Sequence, residues 1–140
     1  MLKLDFEKAF DTIDHQAILK ILKQKGFDER FIQRVKEILS SGSSAILLNG
    51  VPGKKFMCKR GVRQGDPLSP LLYVLGGDLL QSYINKAFRE GRLRAPIPNR
   101  GSNDFPIVQY ADDTILVLEA DFDQLQVLKD ILLEYIAFTG

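Results

Sequence analysis

The chain has 140 residues, 45% of them hydrophobic and 26% charged, with a formal net charge of +1. That length suits one domain around a single core, and the composition is globular rather than disordered. The near-neutral sum lacks the overall basic signature of a nucleic-acid binder. Charges enter within the first eight residues, leaving no h-region of a signal peptide. No apolar run approaches the roughly 20 residues of a bilayer span. The sequence therefore predicts a soluble, intracellular chain with no membrane partner, without separating nucleus from cytoplasm.

In chain order, residues 1–6 predict a short strand ending on Asp5 and Phe6. Asp14 is placed to cap a helix with Ile18, Leu19, Ile21 and Leu22 on its apolar face, stopped at Gly26. Asp28 opens a second helix, with Phe31, Ile32, Val35, Ile38 and Leu39 at helical spacing. Two strand-like runs follow, residues 45–48 and 55–59, joined across Asn49-Gly50-Val51-Pro52-Gly53, which holds the Asn-Gly pair favoured in hairpins. A longer helix begins after Pro67 and runs through Leu71, Leu72, Val74, Leu75, Leu79, Leu80, Ile84 and Phe88. The Pro-, Gly- and Arg-rich residues 91–103 predict a loop. Residues 105–109 and 115–118 predict strands around a Tyr-Ala-Asp-Asp-Thr connection, and a last amphipathic helix uses Leu125, Leu128, Ile131, Leu132 and Tyr135. The order strand, two helices, hairpin, helix, hairpin, helix predicts an α+β fold, a small antiparallel sheet with helices packed on one face.

The single cysteine, Cys58, and the single histidine, His15, exclude an internal disulfide and cysteine- or histidine-built metal clusters. A metal here is held by oxygen, which points to a hard ion such as Mg²⁺. His15 is expected on a helix surface, and Cys58 in a strand with no redox role. The charges are unevenly spread. Lys54, Lys55, Lys59, Arg60 and Arg63 fall together, Arg89, Arg92, Arg94 and Arg100 form a second basic stretch, and the last third is acidic. Such segregation suits phosphates at one place and cations at another, though taken by itself a solvated surface is the better explanation.

Three segments carry chemistry. Tyr110-Ala111-Asp112-Asp113 sets two adjacent carboxylates in a short connection between apolar strands. Ala-Asp is a poor hairpin turn because it lacks the glycine that positive φ favours, yet aspartate tolerates that region, so an ordinary turn competes evenly with a functional site. Asp5, at the carboxyl end of the first strand, suits either a ligand or a strand-to-turn residue. Were the two strands neighbours, Asp5 and Asp112 would be able to share two cations about 3.5–4 Å apart. In residues 60–70, Asp66, Pro67 and Pro70 suit a helix start. Arg60, Gly61, Arg63, Gln64 and Gly65 in front of it need another reason, and the two glycines allow close approach of a flat partner such as a base or sugar.

Together these segments resemble reverse transcriptases of the non-LTR retrotransposon kind. Residues 4–11 look like motif A, residues 60–70 like motif B in its retrotransposon form, and residues 110–113 like the motif C box. The resemblance covers nearly the whole chain and implies the palm of an RNA-directed DNA polymerase. It implies that Asp5 and Asp112, with the Phe6 carbonyl, hold two Mg²⁺ ions, Mn²⁺ being an alternative, while Asp113 supports the site more loosely. Phe10 would lie under the sugar and exclude a 2′-hydroxyl, its competing role being an ordinary core residue. Gln64 and Gly65 would line the incoming nucleotide, with Arg63 nearby, and Tyr110 would pack beside the primer end. Implied partners are an RNA template, a DNA primer and a dNTP; oligomeric state is not implied. No stretch corresponds to the fingers before motif A, the thumb or an endonuclease. Residues 1–140 are therefore expected to form a partial reverse transcriptase domain with little activity alone. The competing readings are a non-catalytic nucleic-acid-binding remnant and a group II intron-type fragment. A nucleotide cyclase would need no template-facing loop such as residues 60–65.

Overall fold

The computed structural model describes residues 1–6, 9–63, 65–96, 104–110 and 113–140. Strand β1 (Leu2–Asp5) leads into a single helical turn, α1 (Ala9–Thr12), then α2 (His15–Gln24) and α3 (Glu29–Ser41). Four two-residue strands follow: β2 (Ser43–Ser44), β3 (Leu47–Leu48), β4 (Val51–Pro52) and β5 (Phe56–Met57). The long helix α4 (Ser69–Arg89), the hairpin β6 (Ile107–Tyr110) and β7 (Asp113–Leu116), and the helix α5 (Phe122–Thr139) complete the chain.

The caps fall where the sequence puts them. Asp14 accepts from the Gln16 and Ala17 amides at 2.7 and 3.2 Å, and Asp28 accepts from Arg30 N at 2.8 Å, satisfying donors that a helix start leaves open. Asp66 departs from expectation. It accepts from Leu68 N at 2.7 Å, in the turn before α4, whose own first turn has no side-chain cap and relies on proline.

The antiparallel sheet runs β1–β7–β6. Leu2, Leu4, Ile107, Thr114 and Leu116 share one face by strand alternation, and that face packs on α4 and α5 through Leu80, Ile84, Leu128, Ile131 and Tyr135. Burying a side chain such as Leu80 or Ile84, both 0% exposed, contributes roughly 1.5–3 kcal/mol. Gly76 in mid-α4 lets Ile13 approach closely, since a Cβ there would lie 3.2 Å from Ile13 Cδ1, whereas one at Gly77 would make an ordinary contact 3.4 Å from Gln109 Nε2. A second core joins α2 and α3 to the start of α4 through Ile18, Leu22, Val35, Val62 and Leu72. The expected α+β layering, a small sheet with helices on one face, is what forms.

The strand ends differ from the sequence reading. β6 extends to Tyr110 and β7 starts at Asp113, so only residues 111–112 connect them. The middle hairpin splits in two: β2 pairs with β5, while β3 pairs with β4 across Asn49-Gly50, whose φ angles of 51° and 81° are those of a primed turn. This arm leaves Ile46, Leu47, Leu48 and Val51 at least 66% exposed, and Leu71, Val74, Phe122 and Leu133 also face outward. Apolar patches of this kind drive association. The isolated chain is accordingly expected to self-associate with rising concentration in light scattering. A monodisperse monomer throughout the micromolar range would contradict this. Among the described residues no helix is long and apolar enough to cross a membrane.

Candidate active site

Alternation along β1 sends Leu2 and Leu4 toward the helices and leaves Lys3 and Asp5 on the open face. Asp5 stands directly opposite Asp113, and Asp113 directly opposite Tyr110, so one row across the three strands reads Asp5, Asp113, Tyr110. Tyr110 is 82% exposed, its ring lying on the open face rather than in the core. Like charges directly opposite destabilise a sheet. The Lys3 ammonium, 2.8 Å from the Asp113 carboxylate, offsets part of that cost, but both side chains are half-exposed and such a pair contributes little in water. A local conflict of this kind at a strand end is typical of sites retained for function.

Asp112, Ala111 and Gln64 lie outside the described residues, and no cluster of three or more His, Cys, Asp or Glu side chains with metal-holding geometry occurs among the described ones. The donors on the open face, Asp5 and Asp113, are nonetheless carboxylates, which suits a hard divalent ion. The softer donors stand elsewhere. Cys58 Sγ lies 3.4 Å from Ser44 Oγ, just past β5 rather than in it, and His15 is bonded to Gly61.

Behind Asp5, Phe6 is half-buried and meets Tyr135 edge-on at 5.9 Å. Burial pushes the Tyr135 hydroxyl above its ordinary pKa, a hydrogen bond with Thr139 partly opposing, so the ring stays neutral at physiological pH. It lines a cavity of about 340 Å³ together with Asp5, Phe6 and Tyr73. Phe10 is half-buried and stacks on Tyr73 of α4, centroids 4.3 Å apart, so its ring ties α1 to α4.

The residues of the third segment reach the first through the backbone. Gly61 N donates to Ile13 O at 2.8 Å, Val62 N to Phe10 O at 2.7 Å, and Asp14 and Arg60 form a β-bridge. Gly61 does approach something closely, but that something is the chain itself: a Cβ there would lie 2.6 Å from Asp11 O. This corrects the expectation that both glycines make room for a base or sugar. Gly65 has a positive φ of 85° and open space around it, and Arg63 is exposed. Arg63 lines a second cavity, of about 550 Å³, with Asp11, His15, Cys58 and Arg60. His15 is not a bland surface residue. Its Nε2 lies 2.8 Å from Gly61 O, a partner 46 positions away that nothing in the local sequence announces.

A family model described as "Reverse transcriptase (RNA-dependent DNA polymerase)" matches residues 1–140. The chain is 32% identical over 137 residues, 98% of its length, to the Retrovirus-related Pol polyprotein from type-2 retrotransposable element R2DM of Drosophila melanogaster, covering 12% of that protein. It is 31% identical over 123 residues, 88% of its length, to a Retrovirus-related Pol polyprotein from type-1 retrotransposable element R2 of Popillia japonica, covering 19% of it. It is 32% identical over 134 residues, 93% of its length, to the Transposon TX1 uncharacterized 149 kDa protein of Xenopus laevis, covering 10% of it. The chain thus spans between 10% and 19% of the length of these relatives.

Proposed function

Because the chain belongs to the reverse transcriptase (RNA-dependent DNA polymerase) family, in its non-LTR retrotransposon branch, we propose that it forms the palm segment of such a polymerase, adding deoxynucleotides to a primer on an RNA template. One observation carries this reading. The antiparallel register sets Asp5 opposite Asp113, bringing the motif A aspartate to the residue covalently next to Asp112.

In this reading Asp5 and Asp112 hold two Mg²⁺ ions, the Phe6 carbonyl adds a backbone oxygen, and Asp113 balances charge beside Lys3. The ions, when bound, supply positive charge to the attacking and leaving oxygens of an in-line phosphoryl displacement. The primer 3′-hydroxyl gives its proton to solvent water and attacks the α-phosphorus; the new P–O bond forms as the bond to pyrophosphate breaks. The protein's own contribution is positioning and fixed charge. Phe10, braced on Tyr73, lies under the sugar. Arg63, Gln64 and Gly65 line the nucleotide, and Tyr110, standing free on the open face, packs beside the primer end.

The test is extension of a primed homopolymer RNA with dTTP and Mg²⁺, using Asp112→Asn as the blank. Incorporation that disappears in Asp112→Asn supports the proposal. Tight binding of the primed RNA with no extension points instead to a nucleic-acid-binding remnant.

A further inference from the structure

His15 opens α2, and its ring reaches out of the helix to the loop that follows Lys59. A carbonyl oxygen only accepts, so the 2.8 Å contact between Nε2 and Gly61 O requires the proton on Nε2. Gly61 has a φ of 77°, and a Cβ on it would lie 2.6 Å from Asp11 O. The peptide it begins is held at its carbonyl by the His15 ring and at its N–H, that of Val62, by Phe10 O. The next residue, Val62, is 4% exposed and anchored in the core beside Leu72, whereas Arg63 and Gly65 are exposed. The loop is thus fixed at residues 60–62 and projects beyond them. Whatever sets the Gly61 peptide plane bears on where Arg63 stands relative to Asp5. The backbone bond from Gly61 N fixes the spacing of the two segments. The His15 bond to Gly61 O, together with the Val62 N bond to Phe10 O, fixes the peptide's rotation.

We propose that His15 is a positioning residue for nucleotide binding, orienting Arg63 through the Gly61 carbonyl without touching the nucleotide itself. This rests on the polymerase reading of the site. Two variants separate the donor from the bulk of the ring: His15→Gln keeps an amide N–H at similar reach, and His15→Leu keeps the volume without a donor. Leucine and glutamine have similar helix propensity, so α2 is not the variable. The readouts are amide hydrogen exchange, resolved by residue, and the affinity of the whole chain for dTTP with Mg²⁺.

In His15→Leu, exchange at Gly61 and Val62 should rise about tenfold, the effect of losing one hydrogen bond, and dTTP affinity should fall by a similar factor. The Gln16 and Ala17 amides, held by the Asp14 carboxylate, should exchange as before. His15→Gln should restore both readouts. Unchanged exchange at Gly61 and Val62 in His15→Leu would overturn the proposal. So would equal behaviour of the two variants, or faster exchange at Gln16 and Ala17, which would mark simple fraying of α2. Faster loop exchange with unaltered dTTP affinity would overturn the positioning role. Failure of the unaltered chain to bind dTTP would instead remove the polymerase reading. The nucleotide role of His15 would go with it, and exchange alone would decide whether His15 clamps the loop.

Discussion

Asp5→Asn is expected to lower the affinity of the chain for Mn²⁺, used as a paramagnetic stand-in for Mg²⁺, by at least tenfold, about 1.4 kcal/mol, while leaving the fold as stable as before. The two halves of this result have separate causes. Asp5 is exposed at the end of β1, and asparagine matches it in size, so the packing has little to lose; exposed substitutions of this kind stay within about 0.5 kcal/mol. Removing one of two facing like charges even favours the sheet slightly. The cation, by contrast, loses an anionic oxygen ligand that a neutral amide does not replace. In primer extension the same substitution should cost on the order of 10²–10³ in rate, the scale of removing one group that stabilises transition-state charge. Line broadening around Asp113 and Tyr110 during Mn²⁺ titration, compared with thermal melts, checks both halves. Broadening as strong in Asp5→Asn as in the parent chain would take Asp5 out of the cation site. A collapse in melting temperature would make it a structural residue.

Much of this architecture was legible because it is written locally. Asp14 and Asp28 sit one residue before helices and cap them, and Pro70 falls in the first turn of α4. Such signals depend on neighbours within four positions. The strands were less legible for the opposite reason. Leu47, Leu48 and Val51 look like core strand residues, yet they lie in two-residue ladders facing solvent. Phe105 and Leu118 are buried just outside their strands and draw the apolar pattern past the paired residues, while Tyr110 and Asp113 belong to the ladder. Position at a strand end and in a short connection, with the family resemblance, marked Asp5 and the Asp112-Asp113 pair as chemical residues, but a sequence pattern has no means of setting the register between segments 108 positions apart. His15 shows the same limit. A lone histidine at a helix start carries no sign of a carbonyl 46 residues further on.

Gly61→Ala should be among the most damaging single changes outside the hydrophobic core, costing about 3 kcal/mol, because it fails on two independent grounds. The backbone there has a φ of 77°, a region that costs an L-residue roughly 1–2 kcal/mol. The added methyl would also sit 2.6, 2.8 and 2.9 Å from the O, Cα and C atoms of Asp11, all of them backbone. No rotamer change relieves that overlap, and crowding of this kind typically costs about 1–3 kcal/mol. The segments forced apart are those joined by the Gly61–Ile13 and Val62–Phe10 bonds, so the damage should also free the loop. Gly65→Ala separates the two grounds. Its φ of 85° imposes similar backbone strain, but nothing lies within 4 Å of the new methyl, so about 1 kcal/mol is expected. Against a total stability of roughly 5–15 kcal/mol, that difference is plain in the urea midpoint of each variant. Equal losses in the two variants would mean that the approach to Asp11 adds nothing. The glycine would then be there for its dihedral alone, and the close seam between residues 10–13 and 60–62 would not be what holds the loop in place.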